Sequence, residues 1–216
     1  VNVRFGEMTT NAYTLMDVPV PKQKLIHVHG AESELGKIYV PTIGIQAGPN
    51  ALAAALEPIE RRPSEWSQGA RKTYEAFLDV KAQPSPVDMA RVIKHLRTVL
   101  PDDVILTNGA GNFTVWSNKF FPLGPEARLL APQSGAMGYG VPAAIPASVA
   151  LPARRFVCFA GDGDFQMDCQ ELATAKQAGA QPLVLILNNG IYGTIRAHQE
   201  THFPGRVSGT TMESPD

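Results

Sequence analysis

The sequence predicts an α/β protein with a doubly wound, mainly parallel sheet that carries helices on both faces. A strand over 155–160, a turn over 161–164, a helix over 166–178 and a strand over 182–187 follow in the order of a βαβ crossover. The last strand is an uninterrupted apolar run, as expected for a parallel strand covered on both faces. Hydrophobic residues make up 44% of the 216 residues and charged residues 18%, which is typical of a folded core.

The first part of the chain predicts the end of one α/β unit. The chain enters on a strand at residues 1–5, and residues 24–29 form another strand by their alternation. Residues 32–36 form a turn or short helix, and Asn50 caps a short helix over 51–56. Because the sequence lacks an initiator methionine and stops without a closing element, we expect it to be the inner part of a longer protein.

Residues 61–83 are the best candidate for a linker, because arginine, proline, glycine and lysine residues gather there. Part of this stretch, 66–80, is expected to be helical. Beyond it, Ser85 caps a helix that begins at Pro86 and ends near Leu100. The linker is therefore expected to separate two structural units.

The second unit continues with short elements before the crossover. A buried strand over 104–107, a glycine-rich turn over 108–112 and a helix over 112–121 come first. A helix of small residues then follows Gly140, and we expect Pro146 to kink or restrict it. The small side chains indicate close packing against a sheet or another helix.

The bulk composition argues against several classes of protein. The net charge is -1 and no basic stripe stands out, so nucleic acid is not expected as a partner. No apolar run approaches about 18 residues, so no membrane span is expected. The N-terminus lacks the shape of a signal peptide. Cys158 and Cys169 form neither a CxxC motif nor zinc-ligand spacing, so we expect a cytoplasmic protein with ordinary thiols.

Two polar side chains follow the two strands of the predicted crossover. Asp162 comes after the first strand and Asn189 after the second. If the strands are neighbours, both side chains enter the crevice at the carboxyl ends of the sheet. With the backbone carbonyl of Ile191 they form a set of hard oxygen ligands suited to Mg2+ or Ca2+. The N–H groups after Gly163, at the start of a helix, suit an anionic diphosphate, so the sequence predicts a Mg-diphosphate site.

The motif over 161–163, Gly-Asp-Gly, followed after the helix by Asn188-Asn189, is similar to the signature of thiamine-diphosphate-dependent enzymes. The surrounding sequence resembles the acetolactate synthase, pyruvate oxidase and benzoylformate decarboxylase superfamily, as does APQSGAMGYGVPAAIPA over 131–147. The resemblance implies three parts. Residues 1–60 are the C-terminal remnant of a Rossmann-like central domain, 61–83 are a linker, and 84–216 are a thiamine-diphosphate-binding domain without its C-terminal end.

The resemblance implies a role for individual residues. Asp162 and Asn189 bind Mg2+ through their side chains, and Ile191 binds it through its carbonyl. The expected cofactor contacts are Gly111, Asn112, Phe113, Gly135, Met137, Gly163, Asp164 and Tyr192. Among them Gly135 accepts from the exocyclic amine of the cofactor, and Met137 holds its two rings in a bent shape. The residues expected to face the substrate are Thr194, Ile195 and His198.

The implied activity is that of a thiamine-diphosphate- and Mg-dependent carboligase or decarboxylase of 2-oxo acids, similar to acetolactate synthase and built as a homodimer or homotetramer. The activating glutamate belongs to a separate N-terminal domain in this superfamily, so we expect no catalytic residue in this chain and no turnover by it alone. Two alternatives stay open. His198 stands where acetolactate synthases usually carry tryptophan, which leaves room for a 2-oxo acid decarboxylase or oxidase of the same superfamily. The other is a non-catalytic cofactor-binding relative.

Three further patterns suggest other ligands less strongly. FAD is in doubt, because His29-Gly30 stands where FAD-binding members commonly carry an aspartate. The run over 109–111, Gly-Ala-Gly, invites a dinucleotide interpretation but lacks the third glycine and the acid that should follow. His27 and His29 share one face of a strand, but they lack a nearby third metal ligand.

Overall fold

The computed structural model contains two compact units, which we describe separately. They are Val1–Ser67 and Gln68–Asp216, and the described residues within them are 1–7, 11–57, 63–81 and 86–214. The boundary falls inside the helix α2 (Glu65–Phe77), within the stretch that was expected to link two units. Across the described ranges, no helix has both the length and the apolar character needed to span a bilayer.

The first unit contains a parallel sheet of three strands in the order β1-β2-β3. Its elements are β1 (Asn2–Phe5), β2 (Leu25–His29), a 3-10 turn (Glu32–Glu34), β3 (Ile43–Gln46) and α1 (Pro49–Ala55). The strand expected over 24–29 is confirmed, whereas β3 was not predicted. The expectation that Asn50 caps the short helix is wrong, because the helix already begins at Pro49 and Gly48 is its extended N-cap.

The second unit contains a parallel sheet of four strands in the order β5-β4-β6-β7. Its strands are β4 (Ile105–Asn108), β5 (Arg128–Leu130), β6 (Phe156–Gly161) and β7 (Leu183–Leu187). Its helices after α2 are α3 (Met89–Val99), α4 (Thr114–Phe120), α5 (Gly140–Ala150), α6 (Asp162–Asp168), α7 (Glu171–Ala178) and α8 (Gly193–His202). The predicted α/β class with parallel strands is confirmed.

Helices cover this sheet on both faces. Alternate residues of β6 point to opposite faces, because side chains alternate along a strand. Val157 and Phe159 join the core formed with α3 and α4. Cys158 and Ala160 join a second core formed with α5 and α7. The sheet is therefore doubly wound.

The backbone after β6 differs from the prediction. A turn over 161–164 and one helix over 166–178 were expected, and both expectations are wrong. Gly161 is extended and acts as the N-cap, so α6 begins at Asp162 without an intervening turn. A second helix, α7, then follows, and Gly179 ends it in the left-handed conformation at φ 70°.

The helix that precedes β4 also begins later than expected. The prediction placed its start at Pro86, but α3 begins at Met89. The Asp88 carboxylate is the N-cap and accepts a hydrogen bond from the backbone N–H of Arg91 at 3.2 Å. Ser85, which was expected to cap the helix, lies outside the described residues.

The remaining elements of this unit differ from the prediction in detail. β7 forms the edge of the described sheet and is covered only in part on each face: Leu185 and Leu187 pack on one core and Val184 on the other, while Leu183 is 48% and Ile186 44% exposed. The edge strand β5 was not predicted. The helix expected over 112–121 begins at Thr114, and α5 continues through Pro146.

Candidate functional site

The carboxyl ends of β6 and β7 bring Asp162 and Asn189 to one cavity. The two strands are parallel neighbours, with Gly161 opposite Leu187 at the end of the pairing. Asp162 is the next residue after β6, and Asn189 lies two residues beyond β7. Both line a cavity of about 1160 Å³. Its place beyond the carboxyl ends of parallel strands is that of a ligand site in an open α/β sheet.

Asp162 organises the turn that carries Asn189. The Asp162 side chain is only 4% exposed. Its Oδ2 accepts hydrogen bonds from the backbone N–H of Gly190 at 2.9 Å and from Oγ of Ser214 at 3.2 Å. Asn189 Oδ1 accepts from the backbone N–H of Ile191 at 3.1 Å. Hydrogen bonds therefore join Asp162 to the turn that carries Asn189.

The backbone of Ile191 faces away from the segment that pairs with it. Ile191 and Thr211 form an isolated antiparallel bridge. The hydrogen bonds lie on either side of the bridge, from the N–H of Tyr192 and from the N–H of Met212, each 2.8 Å long. In such a non-hydrogen-bonded pair, the N–H and C=O of the paired residues point away from the partner strand. The carbonyl of Ile191 is thus not directed at Thr211.

Gly163 makes a close contact that only glycine permits. A Cβ at this position would lie 2.6 Å from Cε1 of Tyr192 and 3.0 Å from Sδ of Met212. Gly163 and Tyr192 both line the cavity. The tyrosine ring therefore lies directly over the first turn of α6.

The Asp164 carboxylate is buried, and one of its oxygens accepts two hydrogen bonds from the backbone. Its Oδ1 accepts hydrogen bonds from the N–H of Gly138 at 2.8 Å and from the N–H of Ala110 at 3.1 Å. Burial raises the pKa of Asp164, the two N–H groups lower it, and the nearby Asp168 carboxylate raises it. This side chain holds three separate segments of the chain together.

The other residues that the sequence singled out mostly line the same cavity. They are Gly111, Asn112, Phe113, Gly135, Met137, Thr194 and Ile195. Thr194 Oγ1 donates a hydrogen bond to Asn112 Oδ1 at 3.0 Å, which joins the start of α8 to the turn after β4. His198 is not among the lining residues, and its ring stacks on that of His202 with centroids 5.9 Å apart.

Sequence reasoning missed the apolar wall of this cavity. Met89 and Val92 of α3 and Val115 and Trp116 of α4 form it. Their helical periodicity is the same as that of core residues, so the sequence carries no signal that separates the two roles. One wall of the cavity is thus apolar, while polar groups gather at the strand ends.

The polar groups fit a hard divalent cation. A carboxylate from Asp162, an amide oxygen from Asn189 and a backbone carbonyl from Ile191 are the oxygen ligands that Mg2+ accepts. The described residues contain no group of three His, Cys, Asp or Glu side chains placed to share a metal ion. The histidine pair noted in the sequence has a different partner, since Nε2 of His27 lies 2.9 Å from the carbonyl oxygen of Gly6.

Comparisons with known proteins show which family the sequence resembles. Residues 109–216 match the family described as "Thiamine pyrophosphate enzyme, C-terminal TPP binding domain". Relatives include the acetolactate synthase isozyme 1 large subunit of Escherichia coli (strain K12), 32% identical over 88% of this chain and 35% of the relative. The isozyme 2 large subunit of the same organism is 29% identical over 100% of this chain and 39% of the relative.

A third relative extends the comparison beyond one organism. The acetolactate synthase of Mycobacterium bovis (strain ATCC BAA-935 / AF2122/97) is 30% identical over 98% of this chain and 36% of the relative. The chain spans between 35% and 39% of the length of these curated relatives. The similarity therefore covers nearly all of this chain but only a part of each relative.

Proposed function

Because this chain belongs to the thiamine pyrophosphate enzyme family through its C-terminal TPP-binding domain, we propose that the full-length protein is a thiamine-diphosphate- and Mg2+-dependent enzyme. Thiamine pyrophosphate and thiamine diphosphate are the same compound. The proposed substrates are 2-oxo acids, and the proposed reaction is a carboligation or decarboxylation similar to that of acetolactate synthase. The observation that carries this proposal is the convergence of Asp162 and Asn189 on one cavity at the ends of two neighbouring parallel strands.

The metal would be held by the polar groups at the strand ends. Asp162 and Asn189 offer side-chain oxygens, and Ile191 offers its backbone carbonyl. Three protein ligands leave about three of the six positions around Mg2+ for diphosphate and water oxygens. The N–H groups of the first turn of α6 favour the anionic diphosphate, because they have no partner within the helix.

The remaining contacts would orient the two rings of the cofactor. When bound, thiamine diphosphate supplies the carbon nucleophile that adds to the carbonyl of a 2-oxo acid and accepts the electron pair left by CO2. Met137 and Gly135 line the side of the cavity formed by the loop after β5. The apolar wall from α3 and α4 excludes water, which strengthens electrostatic interactions in the cavity. Thr194 and Ile195 approach from α8 and are the proposed substrate contacts, together with the more distant His198.

The test uses full-length protein with Mg2+ and thiamine diphosphate and a panel of 2-oxo acids. CO2 release and the mass of the product are measured together. A condensed product indicates a carboligase, whereas an aldehyde indicates a decarboxylase. Absence of Mg2+-dependent thiamine diphosphate binding by calorimetry would refute the proposal.

The proposal extends to assembly. We propose a homodimer or homotetramer, to be measured by light scattering on the full-length protein. A strict monomer that turns over 2-oxo acids would contradict this part alone.

A further inference from the structure

Asp164 joins three segments that are far apart in sequence. It lies in the first turn of α6 and is 3% exposed. One oxygen, Oδ1, accepts from Ala110 in the turn after β4 and from Gly138 in the loop before α5. These partners are 54 and 26 residues away along the chain. The buried carboxylate thus connects the ends of three different structural elements.

The chain is built to let this carboxylate approach closely. A Cβ on Gly109 would overlap both carboxylate oxygens of Asp164. Gly109 does not adopt a left-handed φ, so a turn conformation does not require glycine there. A Cβ on Gly138 would likewise overlap the carboxylate of Asp168. Glycine at position 109 therefore matches the space that Asp164 occupies.

Both segments held by Asp164 carry cavity residues. Met137 directly precedes Gly138, and Gly111 directly follows Ala110, and both line the cavity. We propose that Asp164 is a positioning residue whose carboxylate, through the N–H groups of Gly138 and Ala110, fixes the Met137 loop and the turn after β4 in the geometry that binds the cofactor. This inference rests on the proposed function, since it assigns the cavity to thiamine diphosphate.

Asp164 acts through these loops and not through direct contact of its side chain with the diphosphate. A carboxylate beside a diphosphate would repel it, because both are anionic. Oδ1 is already occupied by two backbone donors, and hydrogen bonds to a charged acceptor are among the stronger ones. We therefore assign the Asp164 side chain to the two loops, and any contact with the diphosphate to its backbone.

The first test measures hydrogen exchange in cofactor-free, full-length protein, with peptides that cover 107–113 and 132–141. Asp164→Ala removes the acceptor, and Asp164→Glu keeps the charge but displaces the oxygens. Asp164→Asn keeps an acceptor oxygen of the same reach. We expect exchange to be about tenfold faster in the Ala and Glu variants, because the two loops lose their shared acceptor. Exchange in the Asn variant should be slower than in the Ala and Glu variants, because it keeps an acceptor oxygen at the same reach.

The second test measures thiamine diphosphate affinity by calorimetry in Mg2+. Affinity should fall about tenfold or more in the Ala and Glu variants, with most of it retained in the Asn variant. If Asp164→Ala does not fold, Gly109→Ala provides the same disturbance by displacing the carboxylate. Gly124→Ala is its matched control, because the nearest atom to the added Cβ would be the carbonyl oxygen of Asp102 at an ordinary 3.9 Å.

The outcomes separate the two proposals. Two results would overturn the inference regardless of cofactor binding. One is unchanged exchange in Asp164→Ala, and the other is slower loop exchange in the Glu variant than in the Asn variant. Normal binding by wild type together with unchanged affinity in Asp164→Ala would overturn the inference and leave the proposed function intact. A wild-type protein that binds no thiamine diphosphate would overturn the proposed function and the cofactor role of Asp164, while exchange would still decide whether Asp164 holds the loops.

Discussion

Replacement of Gly163 by alanine should disturb the cofactor cavity through Tyr192. The added Cβ would lie 2.6 Å from Cε1 and 3.1 Å from Cδ1 of the tyrosine ring. Carbon atoms in contact sit about 3.5–4.0 Å apart, so the ring must move by about 1 Å. Overpacking of this kind costs about 1–3 kcal/mol. The better helix propensity of alanine returns at most about 1 kcal/mol.

The assay pairs two measurements on full-length protein. Urea denaturation should show a loss of up to about 3 kcal/mol in the free energy of unfolding, less whatever the helix propensity of alanine returns. Calorimetry should show thiamine diphosphate binding weakened by about tenfold, which corresponds to about 1.4 kcal/mol. Both effects follow from one displaced ring, because Tyr192 lines the cavity that Gly163 also lines.

Gly69→Ala is the matched control for this substitution. Gly69 also lies in a helix, but a Cβ there would meet no atom within 4 Å. It should gain up to about 1 kcal/mol from helix propensity and leave cofactor binding unchanged. If Gly163→Ala binds the cofactor as tightly as wild type does, the contact between Gly163 and Tyr192 has no part in the site.

Three further substitutions or conditions test other features of the structure. Asp162→Asn should keep an acceptor for the N–H of Gly190 but weaken Mg2+-dependent binding by at least about tenfold, because it removes the ligand charge; binding titrated against Mg2+ would show this. Asp88→Ala removes the N-cap of α3 and should cost about 0.5–2 kcal/mol in urea denaturation, and an unchanged midpoint would contradict the cap. Burial raises the pKa of Cys158 from 9.0 to about 11, so a thiol reagent should modify the partly exposed Cys169 first. Since the thiol is held protonated in the folded state, the stabilising contribution of Cys158 is present below pH 9.0 and is lost as the pH rises through about 11, which alkaline denaturation would detect.

The sequence predicted the crossover that carries the site, because its signals are local. Apolar runs and the glycine at 179 mark β6, α7 and β7 without reference to the rest of the chain. The edge strands β3 and β5 have four and three residues and little burial. Pairing with β2 and β4 defines them, so no local periodicity could reveal them. The start of α6 was missed because Gly-Asp-Gly-Asp has the composition of a turn, whereas an extended Gly161 lets the helix begin at once.

The difference between local signals and contacts of distant segments also explains which site residues could be predicted. Asp162 and Asn189 could be placed in one crevice because residues at the ends of parallel neighbours must converge. The role of the Asp164 side chain could not be predicted, because its partners are backbone N–H groups with no sequence signature. The apolar wall from α3 and α4 was hidden for a related reason, since a helix face that lines a cavity has the same pattern as one that packs in a core.

The strand order explains why these loops meet. The chain passes from β4 to β5 on one side and then returns to β6 on the other side of β4. The helix between β4 and β5 packs on one face of the sheet, and the helices around β6 and β7 pack on the opposite face. A crevice therefore opens between the carboxyl ends of β4 and β6, which is where ligands bind in doubly wound sheets.

The contact between Gly109 and Asp164 lies in this crevice. It bears on which of two ligands, a dinucleotide or thiamine diphosphate, the crevice can accept. A dinucleotide would need the N–H groups and open space of the Gly109-Ala110-Gly111 turn for its pyrophosphate. The Asp164 carboxylate occupies the space beside Gly109 and already accepts from the N–H of Ala110. A Cβ at Gly111 would lie 2.8 Å from the ring of Phe113, so that side is filled as well. The proposed diphosphate position, at the start of α6 and the end of β7, avoids this occupied space.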